Sequence, residues 1–318
     1  MFEQILRFTR DHGCFAVTSH SRPDGDSIGS QLGLALALEQ LGKTVHVINA
    51  DPVPKAYRSL PGVEKIIVTD HLEGSYDSLF VLECNDLKRP EVANLETCHV
   101  INIDHHPGAR SYGHLNWVDT SASAVGEMVY QLVRALPVDV TPEIATNLYV
   151  AILTDTGSFQ FPNTRRETFA VSGELVGYGA NPGHIAQEVY LSQPLSKVRL
   201  LAKVLQTLEL DPSGKIAWIV MTDDMIAETG ASREETEGIV THPLSIRGVV
   251  LVAFFRQDRG NGFRVSLRSK DHYDVGRVAA RLGGGGHKNA AGLSLSGPLP
   301  EVRKEVLSRL EQLLDRTK

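Results

Sequence analysis

The chain has 318 residues, of which 42% are hydrophobic and 22% charged, and a formal net charge of −6. That length suits two domains of ordinary size, each with its own core, and the longest apolar runs fall far short of the roughly 20 residues that a membrane span needs. The acidic balance argues against a protein that tracks long duplexes through phosphate contacts, because such surfaces are basic; any nucleic-acid substrate is expected to be short and single-stranded.

In chain order, Phe2, Ile5, Leu6 and Thr9 fall at helical spacing with charges between them. This reads as a short amphipathic helix and not a signal peptide, so a cytoplasmic location is the default. Phe15 to Thr18 reads as a buried parallel strand, and Ile28, Leu32, Ala35 and Leu36 recur at helical spacing after it. Between them, Ser19 to Ser30 (SHSRPDGDSIGS) gathers His20, Asp24 and Asp26 at a strand's carboxyl end, where open α/β sheets bind ligands. Gly25 is expected to turn the backbone between the two acids, and Asp26 with Ser27 to cap the helix. Alone, the string is equally a polar turn with a helix cap.

Thr44 to Asn49, Lys65 to Val68, Leu79 to Glu83 and His99 to Asp104 read as further strands, with a proline-punctuated connection from Pro52 to Pro61. Helical spacing returns from Ser123 to Ala135 and from Pro142 to Thr154, where Thr141-Pro142-Glu143 is a helix start. The alternation predicts an α/β domain with a mostly parallel sheet and helices on both faces. Acids and histidines close its apolar runs: Glu83 after Leu79 to Leu82, Asp104-His105-His106 after Val100 to Ile103, and Asp155 at a helix end. With the first string they offer enough imidazoles and carboxylates for two divalent cations about 3.5 to 4 Å apart that share a carboxylate. The three cysteines, Cys14, Cys84 and Cys98, have no paired spacing, so neither a disulfide framework nor a structural zinc site is indicated; Cys84 reads as a small buried thiol. His12, His71 and His99 have no acid in motif spacing and read as hydrogen-bonded core residues.

Further helices are expected from Thr164 to Gly179 and, after the Asn181-Pro182-Gly183 break, to about Tyr190. Ser192 to Leu210 reads as one long connecting helix. The expected division is therefore 1–190, a helical linker over 191–212, and a smaller α+β domain over 213–318. In that domain Ile216 to Met221 reads as a strand, followed by two helices. Gly248 to Arg256 and Gly262 to Lys270 then read as strands joined through Asp258-Arg259-Gly260-Asn261, a hairpin signal. A helix from Val278 to Leu282, a glycine run, a strand from Gly292 to Leu295 and a charged helix from Pro300 complete it. Arg264, Ser266, Arg268 and Lys270 alternate onto one strand face. Beside backbone amides bared by the glycine run, such a face suits a phosphate or nucleotide end.

His20-Ser21-Arg22-Pro23-Asp24-Gly25-Asp26, Asp104-His105-His106 and Gly283-Gly284-Gly285-Gly286-His287, in this order, resemble the DHH phosphoesterases with their associated C-terminal domain, in particular the nanoRNase/pAp-phosphatase branch. The resemblance implies roles residue by residue. His20 and Asp24 would serve one metal, Asp26 and His105 the other, with Glu83 and Asp155 shared. His106 would face the phosphate, and Asp104 would orient His105. Ser266, Arg268, Gly284, Gly285 and His287 would hold the far end of the substrate, with Arg264 and Lys288 as outer candidates. Two divalent cations are implied, manganese being the one the ligand set suits best. The implied reaction is metal-assisted hydrolysis of a phosphoester, releasing 5′-mononucleotides from very short RNA and the 3′-phosphate from pAp. The C-terminal domain would close over the first so that cleft length selects small substrates; a homodimer stays open. The nearest competitor is a cyclic-di-AMP or pApA phosphodiesterase, disfavoured by the expectation that no membrane or sensor segment precedes the first domain. A catalytically inactive nucleotide-binding regulator is the alternative of another class. The family has aspartate where this chain has Glu83, and Asp86 on the following loop competes for that role.

Overall fold

The computed structural model describes residues 1–236, 238–258, 262–286 and 288–315. The chain divides into two units, Met1–Ser192 and Gln193–Lys318. The first is built on six strands, β1 (Cys14–Thr18), β2 (Thr44–Asn49), β3 (Ile66–Val68), β4 (Ser78–Leu82), β5 (Val100–Asp104) and β6 (Leu115–Val118). Their order is β3-β2-β1-β4-β5-β6, and every pairing is parallel. The chain therefore winds outward from β1 in one direction and resumes at β4 in the other. The switch between β1 and β4 opens a crevice at the strands' carboxyl ends.

The helices are α1 (Phe2–Asp11), α2 (Gly25–Gln40), α3 (Val125–Ala135), α4 (Pro142–Asp155), α5 (Arg166–Gly177) and α6 (Pro182–Tyr190). Their apolar stripes join Phe15, Val17, Phe80, Leu82, Ile101 and Ile103 from one side of the sheet in one buried cluster. Alternate strand residues, Ala16, Leu79, Val81 and Val100, pack instead with Leu72, Val92, Leu95 and Cys98 from connecting segments. On that side the cover is loops and a 3-10 turn (Leu95–Thr97), not a layer of α-helices, because the connections around β4 carry no helical apolar spacing. The edge strand β6 escapes sequence reading because its four residues are only partly buried or exposed and show no apolar run.

Gly25, Gly29 and Gly33 form a stripe along α2 that faces α4. A Cβ on Gly29 would lie 2.3 Å from the Asn147 carbonyl oxygen, and one on Gly25 would lie 2.4 Å from Thr154 Oγ1. The bare stripe lets the two helices approach closely, which brings Asp155, the last residue of α4, beside the start of α2. Gly25 thus serves helix contact and not the turn between the acids. The cap also differs from expectation: Asp24 accepts from the Ser27 amide (3.0 Å), which places Asp26 inside the first turn. Thr141 caps α4 and Asn181 caps α6.

The second unit begins with α7 (Leu195–Leu205) and β7 (Glu209–Leu210), where one long helix was expected. Thr207 ends the helix: its hydroxyl donates to the Val204 carbonyl (2.7 Å) and accepts from the Val220 amide (2.8 Å), docking the chain onto β8 (Ile216–Met221). Leu200 and Val204 are buried in this unit's core, so the segment is part of the unit. Next come α8 (Asp223–Thr229), α9 (Thr241–Leu244), β9 (Leu251–Asp258), β10 (Gly262–Ser269), α10 (Val275–Arg281), β11 (Gly285–Gly286), β12 (Ala290–Ser296) and α11 (Leu299–Asp315). The sheet order is β11-β12-β10-β9-β8-β7, with β8 and β9 parallel and the other pairs antiparallel. β9 and β10 pair antiparallel as expected; Arg259, Gly260 and Asn261 lie outside the described residues. No helix among the described residues is long and apolar enough to cross a membrane.

Candidate metal centre

The crevice between β1 and β4 collects the predicted ligands from four elements. Beyond β1, His20 holds Nδ1 against the Ser21 carbonyl (2.8 Å), which turns Nε2 toward Ser27 Oγ (2.8 Å), Glu83 Oε2 (3.5 Å) and Asp24 Oδ2 (3.8 Å). His105, beyond β5, sets Nδ1 against the Ala122 carbonyl (3.1 Å) and brings Nε2 to 3.5 Å from Asp155 Oδ2. His106 pairs Nδ1 with Asp104 Oδ1 (2.8 Å). In the His105 and His106 rings an oxygen beside Nδ1 favours the tautomer whose lone pair lies on Nε2, the arrangement of a metal-ligating histidine. Asp104 therefore orients His106, not His105 as the resemblance implied, because His105 sets its Nδ1 against the Ala122 carbonyl while both the amide and Nδ1 of His106 meet Asp104 Oδ1. Its other oxygen, Oδ2, is buried without a hydrogen-bond partner among the described residues.

Asp26 is wholly buried: Oδ2 accepts from the Val125 amide (2.7 Å), and Oδ1 from the Gly126 amide (2.9 Å) and Ser30 Oγ (2.8 Å). Two amides at the start of α3 thus aim the carboxylate. Glu83 follows β4 with φ 58°, the left-handed region that a residue with a Cβ enters at a cost. That twist points its side chain into the crevice, where Ser27 Oγ donates to Oε2 (2.6 Å). Asp86 points elsewhere, accepting from Arg110 Nη1 (2.9 Å) and the Lys88 amide (3.0 Å).

Three groups of donors lie within 4.8 Å of one another: His20, Asp24 and Glu83; Asp26, Glu83, His105 and Asp155; and Glu83, His105 and His106. Glu83 belongs to all three, Asp155 to one. Burial above all pushes the carboxyl of Glu83 well up, and repulsion from Asp24, Asp26 and Asp155 adds to it. Asp155 is pushed up to about 8, first by burial and then by Asp26 and Asp24; Asp26 is also raised by burial, against the pull of His105. Crowded carboxylates that resist ionisation are what a divalent cation relieves, and oxygen with imidazole nitrogen suits manganese, magnesium, iron or zinc. Cys84 faces the other side of β4 in an apolar cluster, where burial keeps its thiol protonated.

Of the bland histidines, His12 and His99 stack on Phe8. His71 is no core residue: it is exposed between Asp70 and Glu73, which raise its pKa.

In the second unit Arg264 and Ser266 share a face of β10 with Arg268, while Val265 and Leu267 are buried on the other. Arg256 on β9 pairs in register with Arg264 and donates to Ser266 Oγ (2.9 Å). Sequence reading missed Arg256; its alternation with Phe254 and Val252 on β9 was the available signal. The glycine run is no loose loop: Gly285 pairs with Gly292, which pairs with Ser266 on its other side. Gly284 has room for no side chain, since a Cβ there would meet the Gly292 carbonyl at 2.2 Å. His287 lies outside the described residues.

A model of the DHH family, N-terminal domain, matches residues 14–152, and one of the DHHA1 domain matches residues 214–316. The bifunctional oligoribonuclease and PAP phosphatase NrnA of Thermus thermophilus is 36% identical over 96% of this chain and 91% of that relative. A probable protein of the same name from Streptococcus mutans is 30% identical over 98% of this chain and 99% of its own length. The crystal structure of an exopolyphosphatase-related protein from Bacteroides fragilis superposes with a TM-score of 0.91 at 28% identity, covering 99% of this chain and 95% of that one. With matches to both units and relatives aligned from end to end, the chain belongs to the DHH family and carries a DHHA1 domain.

Proposed function

We propose that this protein is a divalent-cation-dependent phosphoesterase that releases 5′-mononucleotides from oligoribonucleotides of a few residues and removes the 3′-phosphate of pAp. The observation that carries the reading is the meeting of three donor groups at Glu83, in a chain 36% identical to a relative named for both activities. His20 and Asp24 would hold one cation, Asp26, His105 and Asp155 the other, with Glu83 common to both; manganese suits this set best. Cations bound there would neutralise charge at phosphorus and make water acidic enough to deprotonate near neutral pH. His106, steadied by Asp104, would face the phosphate, and the leaving oxygen would take its proton from water or from His106 once protonated at Nε2. Burial of the crevice strengthens each of these interactions. Arg268 and Ser266, with the backbone at Gly284 and Gly285, would bind the substrate's far end, and Arg256 joins them as a support of Ser266.

The test is a panel of initial rates with manganese: pAp, RNAs of two to five residues, a long RNA, cyclic di-AMP, pApA, pyrophosphate and polyphosphate. The expected order places pAp and the shortest RNAs first, long RNA far behind and pyrophosphate inert. Pyrophosphate or polyphosphate as the best substrate overturns the proposal; cyclic di-AMP or pApA as the best substrate replaces it with a dinucleotide phosphodiesterase.

A further inference from the structure

Two of the four donors in the group of Asp26, Glu83, His105 and Asp155 are held by a single turn. The Ala122 carbonyl faces His105 Nδ1 (3.1 Å), while the amides of Val125 and Gly126 grip the carboxylate of Asp26. Another member, Asp155, comes from α4 and has no hydrogen bond to that turn among the described residues; it is tied there through Asn163. After Asp155 the chain reverses through Gly157, Ser158 and Phe159, all left-handed (φ 55°, 61° and 63°), and returns Asn163 beneath the helix end. Asn163 Nδ2 then faces the Ser123 carbonyl (2.9 Å), the Asp155 carbonyl (3.1 Å) and Asp155 Oδ2 (3.4 Å).

The amide oxygen of Asn163 is buried and has no hydrogen-bond partner among the described residues. An unpaired buried acceptor is costly, so this side chain is held for its donor end. Ser123 is clamped from its other side as well: Glu127 Oε2 accepts from its amide (3.1 Å) and hydroxyl (2.7 Å), and Arg165 Nη2 holds Glu127 Oε1 (2.9 Å). His20 and Asp24, by contrast, have no hydrogen bond to this network among the described residues.

Resting on the metal-centre reading above, we propose that Asn163 is a positioning residue for one of the two cation sites. By joining the Ala122–Gly126 turn to the end of α4, it sets Asp155 against His105 and Asp26, and leaves the His20–Asp24 side untouched. Groups that orient metal ligands are typically worth 10- to 100-fold in affinity or activity, so the effect belongs in one binding constant and not in both.

The experiment titrates manganese into chelator-stripped full-length protein, with calorimetry or the electron-spin signal of free manganese as the readout. Wild type should show two sites. Asn163→Leu keeps the branching of the side chain and removes the donor; it should weaken one site by about 10- to 100-fold and leave the other unchanged, while the carbonyls of Ser123 and Asp155 left unpaired lower the melting temperature of the stripped protein. Asn163→Ser, which keeps one donor, should fall between, and His20→Ala should weaken the complementary site. Equal weakening of both sites or an unchanged titration in Asn163→Leu overturns the proposal. A wild-type protein that binds no manganese overturns the metal-centre reading itself, a result distinct from all of these.

Discussion

The crevice of the first unit and the basic face of the second are both polar clusters at a sheet, yet they are held differently. In the crevice three of the candidate ligands are fixed by groups from elsewhere in the chain: Asp26 by the amides of Val125 and Gly126, His105 by the Ala122 carbonyl, Glu83 by Ser27. On the face, Arg268 bonds to the carbonyl of the neighbouring residue Leu267 (3.0 Å), and the support for Ser266 is another long side chain, Arg256. The difference fits the proposed tasks. Cation ligands must be aimed to a fraction of an ångström, whereas a guanidinium that attracts a phosphate acts through a charge that tolerates motion.

The comparison can be broken most sharply at Glu83. Glu83→Gln is expected to cut turnover on the order of 10³-fold, about 4 kcal/mol, and to lower manganese occupancy. Glu83→Asp should keep substantial activity and Asp86→Asn should be mild. Loss of activity in Asp86→Asn with Glu83→Gln tolerated would move the shared role to Asp86 and contradict the aimed geometry.

A smaller effect is expected on the face. Arg268→Ala should lower kcat/KM for dinucleotides on the order of 10²-fold, equivalent to about 2.7 kcal/mol, with manganese binding and melting temperature unchanged. Unchanged rates would return β10 to an ordinary solvated strand.

The smallest effect tests how the crevice is assembled. Alanine is a better helix former than glycine by about 1 kcal/mol, so Gly29→Ala would stabilise an isolated α2. Here the new methyl meets the Asn147 carbonyl oxygen at 2.3 Å and Ala151 Cβ at 3.1 Å, and overpacking of that kind costs about 1 to 3 kcal/mol. The expected outcome in a thermal melt is a net loss of a few degrees, with weaker manganese binding as the end of α4 shifts. A melting temperature at or above wild type would show that the two helices can part without disturbing Asp155.

What could be read from the chain alone follows the same division. The candidate ligands at strand ends were legible as a cluster because an apolar run followed by an acid or histidine places the side chain without knowledge of the rest; β2 and β8 fall at the residues expected for them. The supports were not legible. Asn163 acts on Ser123, forty residues earlier, and no local pattern marks such a pair. Gly25 was read from its neighbours as a turn residue, although the reason for it is Thr154 on another helix. Ser192 to Leu210 has helical spacing, and only the bond from Thr207 to β8 shows where the helix must stop. The role of Asp104 went to the wrong histidine because the partner of the His105 ring, the Ala122 carbonyl, comes from elsewhere in the chain and the order of residues does not show it.

The left-handed backbone at Glu83 sets stability against chemistry at a single position. A non-glycine residue held there costs on the order of 1 kcal/mol or more, and this one also buries a carboxyl among three other acids. Glycine at position 83 would relieve both burdens at once. Thermostability screens on this scaffold would therefore favour loss of this acid, and they need an activity gate to avoid enriching well-folded, inactive variants.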